Sequence, residues 1–368
     1  MSKSIVKFKI SICFTVYNQS GILRKRLEEL SDHKNLPVEI IISDDCSTEN
    51  IRELVESYHD PRFRYYCTPK NLGHDLNILH GISHCHSDYV FIFRTRDTIC
   101  MDNFDRILEV IEQFPDAGYY LFSAYYENGT PRLQFRDRVY SRGREAAQAH
   151  FALPEHPSGN LYNRRYLDVD LYKHYINEFF DNIYGFTVHT LIRCHLSTKA
   201  DFVTSSVFGW VYADTLKAAD TAVNSSKNGV NIYAPEYCYP RYRCAFEFVR
   251  REFPKEIRLE YLRNIVHKNF IFTAGRSLIV INDPRYQVHY SSRKQEISRI
   301  KELRTINQFT RKLVLSLESK EQKKILRVTK RDSLLLLTIY PLYALLRNLF
   351  IHTPVFSIYK KVLSRIRR

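Results

Sequence analysis

The sequence predicts an α/β fold with a mostly parallel sheet flanked by helices in its first half, followed by a helical C-terminal extension. The first observation is that short apolar runs alternate with amphipathic segments of helical length from about residue 9 to residue 125. Strands that alternate with helices in this way pair in parallel through right-handed crossovers. The second observation is that the pattern becomes charged and helical from about residue 254 to residue 330.

Each element of the first half follows from its own run of residues. Five apolar or aromatic runs predict strands, at residues 9–15, 38–42, 62–67, 89–93 and 118–123. The segments between them predict helices, at about residues 22–30, 49–58, 74–84 and 107–111. Residues 124–250 are irregular and rich in tyrosine, and one short strand is predicted later, at residues 277–281. We divide the chain into a domain of residues 1–250, a helical region of residues 251–330 and a tail of residues 331–368.

Polar and charged side chains follow three of the predicted strands. They are Thr15 to Asn18, Asp44 with Asp45, and Arg94 to Asp97. The carboxyl ends of parallel strands meet at one edge of a sheet, where ligands bind. The chain has neither a GxGxxG nor a GxxxxGK[ST] motif, so the sequence favours neither a dinucleotide fingerprint nor a P-loop. A carboxylate at this edge could bond a base or ribose, while another binds a divalent cation beside a diphosphate.

Three segments in this order carry a resemblance to a known family: KISICFTVYNQSGILRKRLEEL, VEIIISDDCSTENIRELVESY and NLGHDLNILHGISHCHSDYVFIF. Together they resemble family-two glycosyltransferases of the GT-A fold, most clearly over residues 6–125. Residues 71–77 are similar to the subgroup that builds bacterial O-antigen and capsule chains. The resemblance implies a Rossmann-like sheet and an inverting sugar transfer from a nucleotide-sugar donor, with a UDP-sugar favoured.

The resemblance also implies roles for individual residues of a nucleotide pocket. The residues concerned are Thr15, Tyr17, Asp44, Asp45, Asn71 and Gly73. Thr15 and Tyr17 would line the pocket. Asp45 would bond the base while Asp44 supports the turn. Asn71 and Gly73 would shape the loop over the nucleotide.

The end of the fourth strand departs from the family pattern. Asp97 falls on the last acid of the DxD-type motif, which commonly ligates Mg²⁺ or Mn²⁺, but Arg94 and Arg96 stand where further acids are usual. One hypothesis is that Asp97 holds the metal together with phosphate oxygens. A second is that the arginines stabilise the leaving diphosphate, because guanidinium groups match phosphate oxygens. A third is that the site has decayed or that the arginines face solvent.

An inverting transfer also needs a base for the acceptor hydroxyl. The family's acidic pair aligns with Phe186 and Thr187, which carry no carboxylate. The candidate bases are therefore Asp181, Glu178 and His189, and the alternative for Asp181 is an exposed loop residue. His156 resembles a residue of the loop that holds the donor sugar and acceptor, or is a turn histidine.

The net charge of +15 is concentrated in the tail, where residues 320–368 contain twelve Lys or Arg and two acids. Residues 333–346 are uncharged but too few to span a bilayer. We expect this segment to lie at an anionic membrane surface, on the cytoplasmic face of the inner membrane, where a lipid-linked glycan acceptor would be found. The alternative is a core helix.

Two rival functions fit parts of the sequence. A catalytically inactive relative that acts as a membrane-associated interaction protein would explain the missing acids. A nucleic-acid binder would explain the isoelectric point near 9.3, but the basic residues are not interleaved with a stacking surface, so we expect no nucleic-acid partner.

Overall fold

The computed structural model describes five stretches of the chain: residues 9–153, 156–179, 187–213, 235–269 and 299–350. The chain forms two compact units. The first contains residues 1–230 and 243–261, and the second contains residues 231–242 and 262–368. Residues 243–261, on both sides of the predicted boundary near residue 250, therefore belong to the first unit.

The first unit is built on a sheet that has ten strands within the described residues. The strands are β1 Ile10–Val16, β2 Val38–Asp44, β3 Phe63–Cys67, β4 Tyr89–Arg94, β5 Thr98–Ile99, β6 Tyr119–Tyr126, β7 Pro131–Leu133, β8 Arg138–Tyr140, β9 Asn160–Asn163 and β10 Phe202–Tyr212. Their order is β3-β2-β1-β4-β9-β6-β10-β5, with β7 beside β6 and β8 beside β10. Strands β1 to β4 pair in parallel, as do β6 and β10, whereas β9 runs antiparallel to both β4 and β6.

Helices cover this sheet and continue into the second unit. They are α1 Ser20–Ser31, α2 Ile51–Glu56, α3 His74–Ser83, α4 Phe104–Gln113, α5 Arg144–Ala152, α6 Val169–Phe179, α7 Val188–Lys199, α8 Pro235–Glu252, α9 Lys255–Asn269, α10 Arg299–Val314 and α11 Ser319–Phe350. The predicted mixed fold with a mostly parallel sheet and further helices after the domain is confirmed. The strand predicted at residues 277–281 lies outside the described residues.

The local sequence explains why the early elements form. Strand β1, ISICFTV, is buried over almost its whole length, as expected for a parallel strand covered on both faces. Helix α4 buries Phe104, Ile107 and Ile111, whose spacing of three and four residues places them on one face. These side chains join one apolar core with strands β1, β2, β4 and β6.

The tyrosine-rich middle is far more ordered than predicted. Residues 124–213 contain four further strands and three helices, because the tyrosines supply core rings whose hydroxyl groups find buried partners. The Tyr125 ring stacks on Phe208 with centroids 3.8 Å apart. The hydroxyl groups of Tyr162 and Tyr172 lie 2.8 and 2.7 Å from ring nitrogens of His189 and His195.

The second unit is helical in its described part. Buried apolar side chains on α10 and α11 include Leu303, Ile306, Ile325 and Val328. The Asn307 side chain of α10 donates to the Ser333 hydroxyl of α11 at 3.0 Å. Among the described helices, none combines the length and the apolar character that crossing a membrane requires.

Candidate functional site

The candidate site lies where the connections of the sheet change direction. Strand β1 sits between β2 and β4. The chain leads from β1 to β2 and β3 on one side and to β4 on the other, and ligands of open α/β sheets bind beyond the carboxyl ends at such a point. Val16 of β1 pairs with Asp44 of β2, and Thr15 pairs with Arg94 of β4. The predicted residues from three strand ends are therefore neighbours.

Asp44 holds the turn that follows β2. One carboxylate oxygen accepts the backbone N–H of Ser47 at 3.1 Å and the Ser47 hydroxyl, while the other accepts the Tyr65 hydroxyl at 2.7 Å. The Asp44 carboxylate is almost fully buried. Its position beside the site comes from β2, and its bonds fix the direction in which the chain leaves that strand.

Asp45 ties the end of β2 to the loop before α3. Its carboxylate accepts hydrogen bonds from the N–H of Leu72 at 2.7 Å, the N–H of Gly73 at 2.8 Å and the Thr68 hydroxyl at 3.2 Å. Burial nevertheless raises the pKa of Asp45 above its usual value. Asp45 therefore fixes the loop of residues 68–73, called here the Asp45 loop, and the bond from Asp45 to a base stays a prediction.

The loop that Asp45 holds depends on a glycine. Gly73 has a φ of 84°, which disfavours other residues, and it directly precedes α3. The Asn71 side-chain oxygen accepts the same Gly73 N–H at 3.1 Å. Asn71 and Gly73 thus form one turn, at the position the resemblance implies.

Tyr17 stands at the rim of this edge with 38% of its surface exposed. The next residue, Asn18, has a φ of 51° and its side-chain oxygen accepts the N–H of Thr48 at 2.8 Å. The Asn18 N–H donates to the Ser47 hydroxyl at 2.9 Å. These bonds join the loops after β1 and β2 and fix the turn that follows Tyr17. The exposed part of the Tyr17 ring is accessible to a ligand at this edge.

Sequence reasoning missed two polar residues of α3. Asn77 is buried and bridges β2 and β1. Its amide donates to the Ser43 carbonyl at 3.1 Å and to the Val16 carbonyl at 3.4 Å, and its oxygen accepts the Ser43 hydroxyl at 2.7 Å. Asp75 accepts the N–H groups of Thr187 and Val188 at 2.6 and 3.1 Å, at the beginning of α7. The available signal was a pair of polar residues, Asp75 and Asn77, within the otherwise apolar run DLNIL.

Asp97 is fully buried and already bonded on both carboxylate oxygens. Its Oδ2 accepts the Nε and Nη2 of Arg94 at 3.1 and 2.8 Å, and also the Ser158 hydroxyl. Its Oδ1 accepts the Ala213 N–H at 3.3 Å. Asp97 therefore holds Arg94 and the chain near Ser158 in place.

A cluster of arginines surrounds His156 beside Asp97. The Nη2 of Arg94 donates to the Nε2 of His156 at 2.9 Å. The Arg132 guanidinium lies 3.9 Å from the Tyr212 ring centre and that of Arg94 lies 5.9 Å from it. Burial, followed by the charges of Arg94, Arg132 and Arg96, holds the pKa of His156 well below its usual range, so the ring is neutral.

Aromatic rings form one wall of this arginine cluster. The His156 ring stacks on Trp210 with centroids 5.0 Å apart. Gly159 allows this contact, since it has a φ of 80° and a Cβ there would lie 2.3 Å from the Trp210 indole nitrogen. The loop at residues 156–160 is thereby packed against β10, which carries Trp210 and Tyr212.

The residues around Asp97 do not fit a divalent cation. Mg²⁺ and Mn²⁺ sites use oxygen ligands, usually one or two carboxylates in addition to phosphates. Here the Asp97 carboxylate already accepts from a guanidinium, a hydroxyl and a backbone N–H, and the neighbouring Arg94 would repel a cation. Within the described stretches, no three His, Cys, Asp or Glu side chains come together as a metal site.

Two of the predicted bases are occupied by other side chains. Glu178 makes two hydrogen bonds of 2.8 Å with Arg251, and these bonds hold the pKa of Glu178 below its usual value. His189 is buried and bonded to Tyr162. Asp181 lies outside the described residues. No observation tests a catalytic role for Glu178, His189 or Asp181, so all three assignments stay predictions.

The comparison with known proteins identifies the domain. Residues 11–171 match the model of "Glycosyl transferase family 2". This segment belongs to glycosyltransferase family 2. The predicted family is confirmed, and the matched segment contains β1 to β4, the Asp45 loop and the arginine cluster around His156.

Two curated relatives of this family 2 domain come from bacteria. The chain is 31% identical over 114 residues to the abequosyltransferase RfbV of Salmonella typhimurium, and 24% identical over 100 residues to the succinoglycan biosynthesis protein ExoO of Rhizobium meliloti. These matches cover 29% and 27% of this chain. The chain matches only about a third of the length of these relatives, 33% and 29% respectively.

Solved structures show the same fold over most of the chain. The crystal structure of S. aureus TarS residues 1–349 superposes with a TM-score of 0.56, covering 89% of this chain and 88% of that one at 14% identity. The same protein has been solved in complex with UDP-GlcNAc. The likeness confirms the predicted GT-A architecture of the family 2 domain.

Proposed function

We propose that the protein is a glycosyltransferase that moves a sugar from a nucleoside-diphosphate donor to a glycan acceptor in the synthesis of a bacterial surface polysaccharide. The observation that carries this proposal is that the Asp45 loop and the arginine-rich end of β4 lie at the same edge of the sheet, on the two sides of β1. The relatives RfbV and ExoO, named for abequosyl transfer and succinoglycan biosynthesis, support the acceptor class. The UDP-GlcNAc complex of TarS supports a nucleotide-sugar donor.

We infer separate tasks for the two sides of the site. On the β2 side, the exposed Tyr17 ring and the loop held by Asp45 would receive the nucleoside. On the β4 side, positive charge would face the diphosphate, which gains charge as it leaves. In an inverting reaction, the acceptor oxygen bonds to the anomeric carbon, the bond from that carbon to the diphosphate breaks, and a base takes the hydroxyl proton.

We further propose that the acceptor is lipid-linked and that the second unit binds the anionic membrane surface on the cytoplasmic face. Six basic residues of α11 are exposed: Lys320, Lys323, Lys324, Arg327, Lys330 and Arg331. Leu334 and Leu337 on the same helix are 63% and 46% exposed. Basic side chains beside exposed leucines match the interfacial region of a membrane.

A binding experiment tests the donor assignment. We expect one of UDP, GDP, dTDP or CDP to raise the melting temperature of the full chain. In Asp45→Asn, the loop loses a charged acceptor, so affinity for that nucleotide should fall about tenfold or more, equivalent to about 1.4 kcal/mol. The control is Asp116→Asn, since the Asp116 side chain is 83% exposed and pairs with the exposed Arg165 at 2.7 Å.

The outcomes separate the proposal from its main alternative. Failure of all four nucleotides to bind the folded protein would contradict the donor assignment. It would favour a catalytically inactive relative that acts as an interaction protein, an alternative motivated by the arginines at the end of β4.

A further inference from the structure

We propose that Arg94 and Arg132 bind the donor diphosphate directly and take the charge-neutralising role that a divalent cation has in other family members. This inference rests on the proposed function and concerns the same site. It names the groups that would face the diphosphate, and it makes donor binding independent of a metal.

The position follows from the sheet. Arg94 is the last residue of β4 and pairs in register with Thr15 of β1, next to the point where the connections change direction. The same edge carries Asp45 and its loop two strands away. A nucleotide whose base lies toward the Asp45 loop would place its phosphates toward the end of β4.

The charge follows from the residues around His156. The guanidinium of Arg94 donates to His156, and that of Arg132 lies 5.8 Å from the centre of the Trp210 ring on which His156 stacks. The buried carboxylate beside them is that of Asp97. The neutral ring of His156 adds no charge. The described residues of this cluster therefore carry more positive than negative charge. The rings of Trp210 and Tyr212 pack against His156 and Arg132. Guanidinium groups bind phosphate oxygens in pairs and need no metal to do so.

Arg94 is held in a way that suits a ligand contact. Its Nε and Nη2 bind Asp97, and Nη2 also donates to His156. Its side chain is 21% exposed. Asp97 is thus a positioning residue for Arg94.

A diphosphate also occurs in a polyprenyl-diphosphate-linked acceptor, so the source of the ligand needs its own comparison. The position beside the Asp45 loop favours the nucleotide, and we expect UDP to bind more tightly than geranyl diphosphate, which lacks a base. Tighter binding of geranyl diphosphate, weakened by Arg94→Gln, would overturn the assignment to the donor.

The test is an equilibrium titration of the full chain with UDP and with inorganic pyrophosphate, in EDTA and in Mn²⁺. Trp210 is the only tryptophan of the chain and stacks on His156, so its fluorescence reports on this cluster. We expect UDP to bind in EDTA, with less than about a threefold gain from Mn²⁺, which corresponds to under about 0.7 kcal/mol. Pyrophosphate, which lacks a base, should bind more weakly and compete with UDP.

Substitutions assign the binding to the arginines. Arg94→Gln and Arg132→Gln should each weaken UDP by about tenfold or more while leaving uridine binding unchanged. Arg94 neutralises the buried Asp97, so Arg94→Gln also removes a structural ion pair. Arg132 packs on the Tyr212 ring, and Arg132→Gln therefore serves as the second variant. The matched control is Arg165→Gln, an exposed arginine paired with Asp116.

The results separate this inference from the proposed function. Binding of UDP that requires Mn²⁺ and is unchanged in Arg132→Gln would overturn the inference while leaving a nucleotide-dependent enzyme in place. Absence of binding by UDP, pyrophosphate and every other nucleoside diphosphate, with and without Mn²⁺, would contradict both.

Discussion

At the scale of single residues, buried polar side chains determine the shape of the candidate site. Asp45, Asn77 and Asp97 each satisfy several backbone or side-chain groups from different elements. Their residue types and places at strand ends made Asp45 and Asp97 predictable. Their partners were not predictable, because each partner is brought to them by the tertiary fold. For example, the hydrogen bond that the Ser158 hydroxyl donates to Asp97 joins residues 61 positions apart in the sequence.

Asn77→Ala should destabilise the fold by about 1–3 kcal/mol, because Ser43 and the end of β1 would keep buried polar groups without their partner. Denaturant unfolding followed by circular dichroism measures this change. The control is Asn35→Ala, whose exposed position should change the free energy of unfolding by less than about 0.5 kcal/mol. Equal changes in the free energy of unfolding for the two substitutions would show that the Asn77 hydrogen bonds do not stabilise the strands.

Glu39 provides a pH-dependent test at the opposite edge of the same strands. Although burial raises its pKa, hydrogen bonds from Ser11 and from the N–H groups of His86 and Ser87 hold the pKa of Glu39 below its usual value near 4.5. A carboxyl group with a lowered pKa in the folded state stabilises above its usual pKa, and this contribution disappears as the pH falls through the folded-state value.

We therefore expect Glu39→Gln to lower the free energy of unfolding by about 1–3 kcal/mol at pH 7, with a smaller difference from the wild type at acid pH. Urea unfolding at a series of pH values from 7 downwards measures the difference. A difference that stays constant, or grows as the pH falls, would contradict the role assigned to the ionised Glu39.

At the scale of elements, the early strands were predictable because their apolar runs are continuous and separated by polar turns. The strand predicted at residues 38–42 is observed at Val38–Asp44, and that predicted at residues 89–93 at Tyr89–Arg94. The later elements were not predictable, because tyrosine has both an apolar ring and a polar hydroxyl, and tyrosine-rich segments therefore show no clear apolar run. Strand β9 inserts antiparallel between β4 and β6 through pairings such as Tyr89 with Asn163, which no local pattern reveals.

At the scale of the whole molecule, charge is divided unevenly along the chain, with most of the excess of basic residues in the last 49 residues. The apolar run predicted at residues 333–346 begins within α11, whose basic first half precedes it. The sequence could identify this charge and the apolar run. It could not establish the lipid surface or the acceptor, which depend on a partner.

Flotation with liposomes tests the proposed membrane contact. The full chain should float with vesicles that contain anionic lipid and much less with neutral vesicles, and the binding should weaken as salt increases. The double variant Lys323→Glu and Lys324→Glu should float less, because each basic residue near the surface contributes about 1 kcal/mol. Lys25→Glu, an exposed change on α1, is the control. Equal flotation of all three proteins would contradict a role for α11.

The most direct test of the proposed glycosyltransferase is sugar transfer by the purified full chain. UDP-, GDP-, dTDP- and CDP-sugars would be supplied with polyprenyl-diphosphate-linked glycans, and both the released nucleoside diphosphate and the extended glycan would be measured. We predict release that depends on the acceptor for one donor, is strongly reduced in Asp45→Asn and is retained in Asp116→Asn. Nucleotide binding without release or extension for any donor would contradict the enzymatic function.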